Sequence, residues 1–187
     1  YLTWEGSPHV CFQRPASSGI MWKRQWVNAV DYFEDYFDEA YRIIQNRGRG
    51  LVITGTRQWE NYSLESTITP HLVKTFGLAA RVQGLERYSA LLFDNRDCVK
   101  LVKVLDGEKV LRSIPLIWHY GQSYHLKIVV NENEIKGWVD GELLFQLEDQ
   151  GNTLCSGAIG LVCEEGRIGT DSVLVQPLKF SAPLNDA

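Results

Sequence analysis

From residue 50 to residue 176 apolar and polar side chains alternate with a period of two, and the interruptions carry hairpin-turn chemistry. Such a pattern fits strands that bury one face, because successive side chains of a strand point to opposite sides. The stretch 62–69 is the clearest case: Tyr62, Leu64 and Ile68 fall on a core face, with Ser63, Glu65 and Thr67 opposite. Pro70 is expected to end that ladder. Residues 77–83 follow, with Leu78, Ala80 and Val82 on one side and Ala79, Arg81 and Gln83 on the other. Further strands are read at 87–93, 98–105, 109–113, 124–130, 134–139, 143–147, 158–163 and 172–176. Asp106-Gly107 and Asp140-Gly141 are two-residue hairpin turns, since Asp and Gly tolerate the positive φ angles these turns need. The fold class expected is all-β: a two-sheet antiparallel sandwich with at most one short helix.

The first 50 residues are less regular. Strands are read at 9–14, 26–30, 41–45 and 51–54, and Asn46-Arg-Gly-Arg-Gly50 is read as a turn. Phe33, Tyr36, Phe37 and Ala40 fall at helical spacing, so the short helix is placed across 30–40. No Ser-, Pro- or Gly-rich linker divides the chain. Residues 1–187 are therefore expected to form one domain, with 1–47 as strands or a covering segment and 48–177 as the sandwich.

The net charge of -4, with Lys and Arg scattered among acids, excludes the basic stripe that nucleic acid requires. No apolar run is long enough to span a bilayer, and no leader pattern is seen. Met21 is the only methionine, so Tyr1 is not a natural start and a larger parent protein is expected, with its catalytic domain elsewhere. Cys11, Cys98, Cys155 and Cys163 include no CxxC pair, which argues against zinc. They are expected to be free thiols, pointing to a cytoplasmic setting.

The pieces Leu51-Val-Ile-Thr-Gly-Thr-Arg-Gln-Trp-Glu-Asn-Tyr62, Gly77-Leu-Ala-Ala-Arg-Val82 and Arg87-Tyr-Ser-Ala-Leu-Leu92 are followed by Leu101-Val-Lys-Val-Leu-Asp-Gly107 and Gly137-Trp-Val-Asp-Gly141. Gly157-Ala-Ile-Gly-Leu161 and Asp171-Ser-Val-Leu-Val175 close the series. In that order they resemble a concanavalin A/laminin-G-like jelly roll of the family 66 carbohydrate-binding-module kind, over about two-thirds of the chain. Met21-Trp-Lys-Arg-Gln-Trp-Val-Asn-Ala-Val30 resembles the C-terminal accessory domain of bacterial ADP-ribosylglycohydrolase-type proteins. The resemblance implies a non-catalytic accessory module of a bacterial hydrolase that binds a carbohydrate or ribosyl-type ligand. The alternatives are a glycosidase-like enzyme of the same fold and a structural interaction domain.

Arg81 is the first candidate for ligand contact, because a guanidinium forks two hydrogen bonds to neighbouring hydroxyls. The competing reading is a cross-strand ion pair with Glu65. Glu65, Gln83 and Lys103 are expected to share the outer face with Arg81. Tyr88 and Trp138 are the aromatic candidates, since a flat ring stacks on the C–H side of a sugar. Trp22, Trp26, Tyr32 and Phe33 are read as seals of the sandwich. Asp171 is either a loop pin or part of a calcium site, although six or more oxygens cannot be assembled around it. Laminarinase-like acid pairs, HExxH and Gly-x-Ser-x-Gly are all missing from the sequence, and Glu164-Glu165 is read as a turn.

Overall fold

The computed structural model describes residues 9–13, 21–34, 41–151 and 153–178. The strands are β1 (Val10–Gln13), β2 (Val27–Ala29), β3 (Tyr32–Glu34), β4 (Tyr41–Thr54), β5 (Tyr62–His71), β6 (Thr75–Gly84) and β7 (Arg87–Asp94). They continue with β8 (Cys98–Leu105), β9 (Glu108–Pro115), β10 (Tyr124–Asn131), β11 (Glu134–Val139), β12 (Glu142–Glu148), β13 (Ala158–Thr170) and β14 (Ser172–Pro177). A 3-10 turn, Met21–Gln25, is the one helical element among the described residues.

Every pairing is antiparallel, along the path β12-β11-β10-β5-β13-β6-β7-β8-β9. β14 joins β5 to β1, and β4 lies on the other flank of β13, carrying β2 and β3. Two layers result. The first contains β12, β11, β10, β5, β14 and β1; the second runs β4-β13-β6-β7-β8-β9. β13 belongs to both, because its residues 158–164 pair with β6 and 167–170 with β5. The all-β sandwich read from the alternation is the fold observed.

The core fills the space between the layers. Leu64 and Ile68 of β5, Leu126 and Ile128 of β10 and Ile135 of β11 meet Phe76, Leu78, Leu91, Phe93 and Leu101 of the second layer, all fully buried or nearly so. Burying each such side chain stabilises by roughly 1.5–3 kcal/mol. Gly137 marks a close approach of the two layers: a Cβ there would lie 3.1 Å from Phe145 and 3.2 Å from Leu91. One end is plugged by Trp118, edge-on to the stacked Phe76 and Phe93.

Several local expectations are corrected. Residues 32–34 form strand β3 on the edge of β4 rather than a helix; Tyr36, Phe37 and Ala40 lie outside the described residues, as do Arg14 and the side chain of Trp22. Residues 46–50 are a bulged stretch inside the continuous β4, where Gly48 takes φ +66°. Glu164-Glu165 likewise sits within β13, at a register shift between Glu164 and Gly166. β5 passes through Pro70, beyond the point where its pairing with β10 has ended, so a missing N–H is tolerated. Trp26 and Phe33 pack with Phe12 and Tyr41 as a seal, but Tyr32 is 54% exposed. Asp171 occupies the bend between β13 and β14, and among the described residues no group of three His, Cys, Asp or Glu gathers to hold a metal. No helix of the described residues is long and apolar enough to cross a membrane.

The four cysteines are free, with Cys11 and Cys155 exposed and Cys163 buried. Burial pushes the Cys163 thiol up to about 12, against a smaller opposing effect of the Gln45 backbone. Only the thiolate reacts. Iodoacetamide at neutral pH is therefore expected to label Cys11 and Cys155 quickly and to reach Cys163 only after denaturation; peptide mass spectrometry checks this.

Candidate functional site

The second layer has an unusual outer face. Leu51, Ala79, Tyr88, Ala90, Leu92 and Val102 form an apolar cluster there, separate from the main core and no more than 2% exposed. Register arranges this face in rows. Arg49, Glu164, Thr75 and Asp94 lie opposite one another on β4, β13, β6 and β7. The next row is Leu51, Val162, Gly77, Leu92 and Lys100, and Ala79, Ala90 and Val102 fall in the one after. Tyr88 and Val104 then align with Glu108 on β9.

Arg49 and Glu108 belong to strands five steps apart in that layer. In a flat sheet the separation would be about 24 Å, at roughly 4.8 Å per step. Yet Arg49 Nη1 lies 2.5 Å from Glu108 Oε2. The sheet is therefore curled into a trough, and the pair bridges its two walls. Small side chains at Gly77, Ala79 and Ala90 keep the floor low enough for the bridge to pass above it.

The bridge is part of a wider network. Arg49 Nε donates to Glu164 Oε2 (2.8 Å), and Nη1 also donates to Tyr88 Oη (3.3 Å). Lys100 Nζ donates to Glu108 Oε1 and reaches Asp94 Oδ2, both at 2.9 Å. Thr75 Oγ1 donates to Asp94 Oδ1 (2.5 Å), and Lys74 Nζ is 3.0 Å from Glu164 Oε1. Burial raises the Glu108 carboxyl, but Lys100 and Arg49 outweigh it and hold the group below its ordinary value of 4.5. Asp94 is likewise lowered, burial being overcome by Thr75 and Lys100. The Tyr88 phenol is raised, by burial first, with Arg49 opposing. Beside the bridge opens a cavity of about 290 Å³, lined by Arg49, Leu51, Leu85, Glu86, Tyr88, Val104, Glu108 and Glu164.

Of the residues read from the sequence, Tyr88 is in this site. The others are elsewhere, in three groups. Arg81 was expected to leave the core, but it is 1% exposed and points inward. The cause is a bulge: Arg81 takes φ +52°, and the β6–β7 register shifts between Ala80 and Gly84. The extra residue keeps Ala80 and Arg81 both inside and sends Val82 to the outer cluster. The Arg81 guanidinium donates to the carbonyls of Glu60 (3.2 Å), Glu132 (2.7 Å) and Leu154 (2.8 Å) and to Asn61 Oδ1 (3.2 Å). It thereby ties three loops together at one end of the sandwich. Lys103 also faces inward, in phase with Val99 and Leu101, and its Nζ lies 2.6 Å from the buried Asp149.

Gln83 leaves β6 at the hairpin and donates to the carbonyl of Ser156 (2.8 Å). Glu65 and Trp138 lie on the outer face of the first layer, aligned on either side of Lys127. Glu65 pairs with His125 (3.3 Å), and Lys127 covers the Trp138 ring at 5.7 Å. The four polar residues expected on one face are thus not brought together. Arg49, Lys100, Glu108 and Glu164 were missed. Arg49 and Glu164 were assigned to turns, and no local pattern reports a contact made by curling a sheet.

No family model matches the chain, and no curated protein matches it by sequence. Among solved structures it resembles a carbohydrate-binding module of family 66 from Bacillus subtilis, with TM-score 0.73 and 18% identity over 81% of this chain and 95% of that one. It also resembles a Bacillus subtilis protein of unknown function with a galectin-like fold, with TM-score 0.68 and 12% identity over 95% of this chain and 100% of the other. Trypanosoma rangeli sialidase matches with TM-score 0.62 and 15% identity over 90% of this chain, but over only 30% of its own length. At these identities the likeness concerns the fold: a β-sandwich shared by a binding module and by part of an enzyme.

Proposed function

We propose that this chain is a non-catalytic carbohydrate-binding module whose ligand seats beside the Arg49–Glu108 bridge. One observation carries the reading: the 290 Å³ cavity joins an apolar floor of Leu51, Tyr88 and Val104 to donors and acceptors from Arg49, Glu86, Glu108 and Glu164. A sugar has the same two-sided chemistry, with C–H surfaces and a rim of hydroxyls. The likeness to a family 66 carbohydrate-binding module supports it. The ligand is a carbohydrate or ribosyl-type group, presented to a catalytic domain for which an ADP-ribosylglycohydrolase-type hydrolase is the candidate. Exposed free thiols suit a reducing, cytoplasmic setting. A binding screen over neutral oligosaccharides and ADP-ribose tests the ligand class; no retention of any of them would overturn it.

A hydrolase of the same fold is the second reading, because Glu108 and Glu164 both contact one guanidinium and so lie close together. Glycoside hydrolysis, however, needs one carboxyl kept protonated as the acid. Glu108 is held ionised by Lys100 and Arg49. Glu164 has a cation on each oxygen, Arg49 on Oε2 and Lys74 on Oε1. Both carboxylates are thereby committed as acceptors, which favours binding over bond cleavage.

The lowered carboxyls set the pH response. A carboxyl whose folded value is depressed contributes above its unfolded value and loses that contribution as pH falls through the folded one. Glu108 and Asp94 start from ordinary values of 4.5 and 3.8. Affinity is expected to stay flat from neutral pH to below about 4.5 and to fall only as pH drops through the lowered folded values, where the Glu108 and Asp94 carboxylates take up protons and lose their pairing with Arg49 and Lys100. Calorimetric titration along a pH series measures this. A decline centred near pH 6–7 would point to a histidine instead.

A further inference from the structure

A second cleft, of about 420 Å³, opens on the far side of the β13 bulge and is lined by Ile44, Gln45, Asn46, His71, Leu72, Gly166 and Arg167. Arg167 lies in register with Ile44 of β4 on one side and His71 of β5 on the other, so three strands place it in the wall. Its Nε is shut off from solvent and has no hydrogen-bond acceptor among the described residues. Among the described residues no acid lies within ion-pair distance of its guanidinium; Arg42, by comparison, is paired with Glu34. Two acids on neighbouring segments are otherwise placed. Asp31 Oδ2 accepts from the backbone N–H of Asn46 (2.7 Å), and Glu165 is exposed on the bulge.

The backbone around the cleft is strained as well. Leu72 takes φ +44° with its side chain 77% exposed, and Glu165 takes φ +49°. A Cβ at Gly166 would collide with the backbone of Leu72 and Val73, so the two segments are pressed together at the lip. Left-handed backbone at non-glycine residues persists only where its surroundings enforce it, and it gathers at ligand clamps.

We infer that this cleft is an anion-binding site, separate from the carbohydrate pocket, that takes a carboxylate or phosphate group on the Arg167 guanidinium. An unpaired, half-buried guanidinium is uncompensated charge; with Nε sealed off, the terminal Nη groups are the fork that an oxyanion in the cleft accepts in bidentate fashion. The apolar wall of Ile44 and Leu72 leaves room for the body that carries the anion.

The test titrates the chain at low ionic strength with inorganic phosphate, with glucuronate and with neutral glucose, following the Arg167 Nε–H resonance by NMR. Phosphate or glucuronate is expected to shift that resonance with a millimolar-range midpoint, and glucose to leave it unchanged. Which of the two anions shifts it names the oxyanion. In a parallel calorimetric titration with the anion that shifts it, Arg167→Gln is expected to abolish binding and Arg167→Lys to weaken it about tenfold, because an ammonium lacks the fork. If neither anion moves the resonance, or glucose moves it equally, the inference is overturned. The NMR reading uses the unaltered chain, so it stands even where a variant fails to fold.

Discussion

Arg81→Ala is expected to lower the stability of the chain by about 3–5 kcal/mol, the largest effect of any single side-chain truncation discussed above. The guanidinium supplies four hydrogen bonds, and three go to backbone carbonyls of different loops. With the donor gone, the carbonyls of Glu60, Glu132 and Leu154 remain in a space that alanine cannot fill and the bulge cannot close. A buried acceptor without a partner costs its full desolvation penalty, well above the modest net value of a bond when made. Burial dominates the guanidinium's own balance and lowers its pKa, so the site holds the charge at some cost and offsets that cost through the loop contacts. In a domain of this size each kcal/mol moves the melting temperature by about 2–4 °C, so a drop on the order of 10 °C should be seen by calorimetry. Arg81→Lys should fall between, keeping charge but losing the fork. An unchanged melting temperature would mean that these loops do not depend on Arg81.

Arg49→Ala is expected to weaken carbohydrate binding about a hundredfold or more while leaving the sandwich folded. Two charge-assisted hydrogen bonds to a ligand, at roughly 1.5 kcal/mol each, account for a factor of that size. Removing the guanidinium also leaves Glu108 and Glu164 without the cation they share, which spoils the remaining acceptors. The stability cost should be smaller than for Arg81, because Glu108 keeps Lys100 and Glu164 keeps Lys74 as partners when the guanidinium is gone. Titration calorimetry with the ligand from the screen, beside a melting curve, separates the two effects. A collapse in melting temperature would mark the bridge as a structural strut closing the trough. Normal affinity would place the ligand elsewhere.

The different fates of Arg81 and Tyr88 show what the sequence can disclose. Asp106 and Asp140 were identifiable as hairpin residues because the turn requires positive φ, and both adopt it, at +53° and +49°. Tyr62, Leu64 and Ile68 were identifiable as core because alternation holds along β5 from Leu64 onward, Ser63 being buried out of phase. Arg81 was misplaced because the same counting was carried across a bulge, where one residue of slip reverses a side chain's direction. The same limit applied at residues 46–50 and 164–166, where glycines and charges that look like turns are bulges within β4 and β13. The pairing of Arg49 with Glu108 spans five strand steps and depends on curvature, which arises from the whole sheet. Tyr88 was read as a sugar-contact candidate because it is an aromatic beside polar strands; the structure places it, 2% exposed, in the lining of the cavity beside the Arg49–Glu108 bridge.

The most direct test of the account is NMR chemical-shift mapping with the carbohydrate retained best in the screen. Perturbations are expected to cluster at Arg49, Leu51, Tyr88, Val104, Glu108 and Glu164, with the opposite sheet face unchanged. Perturbations centred on Glu65, Lys127 and Trp138, or none with any carbohydrate of the panel, would contradict it.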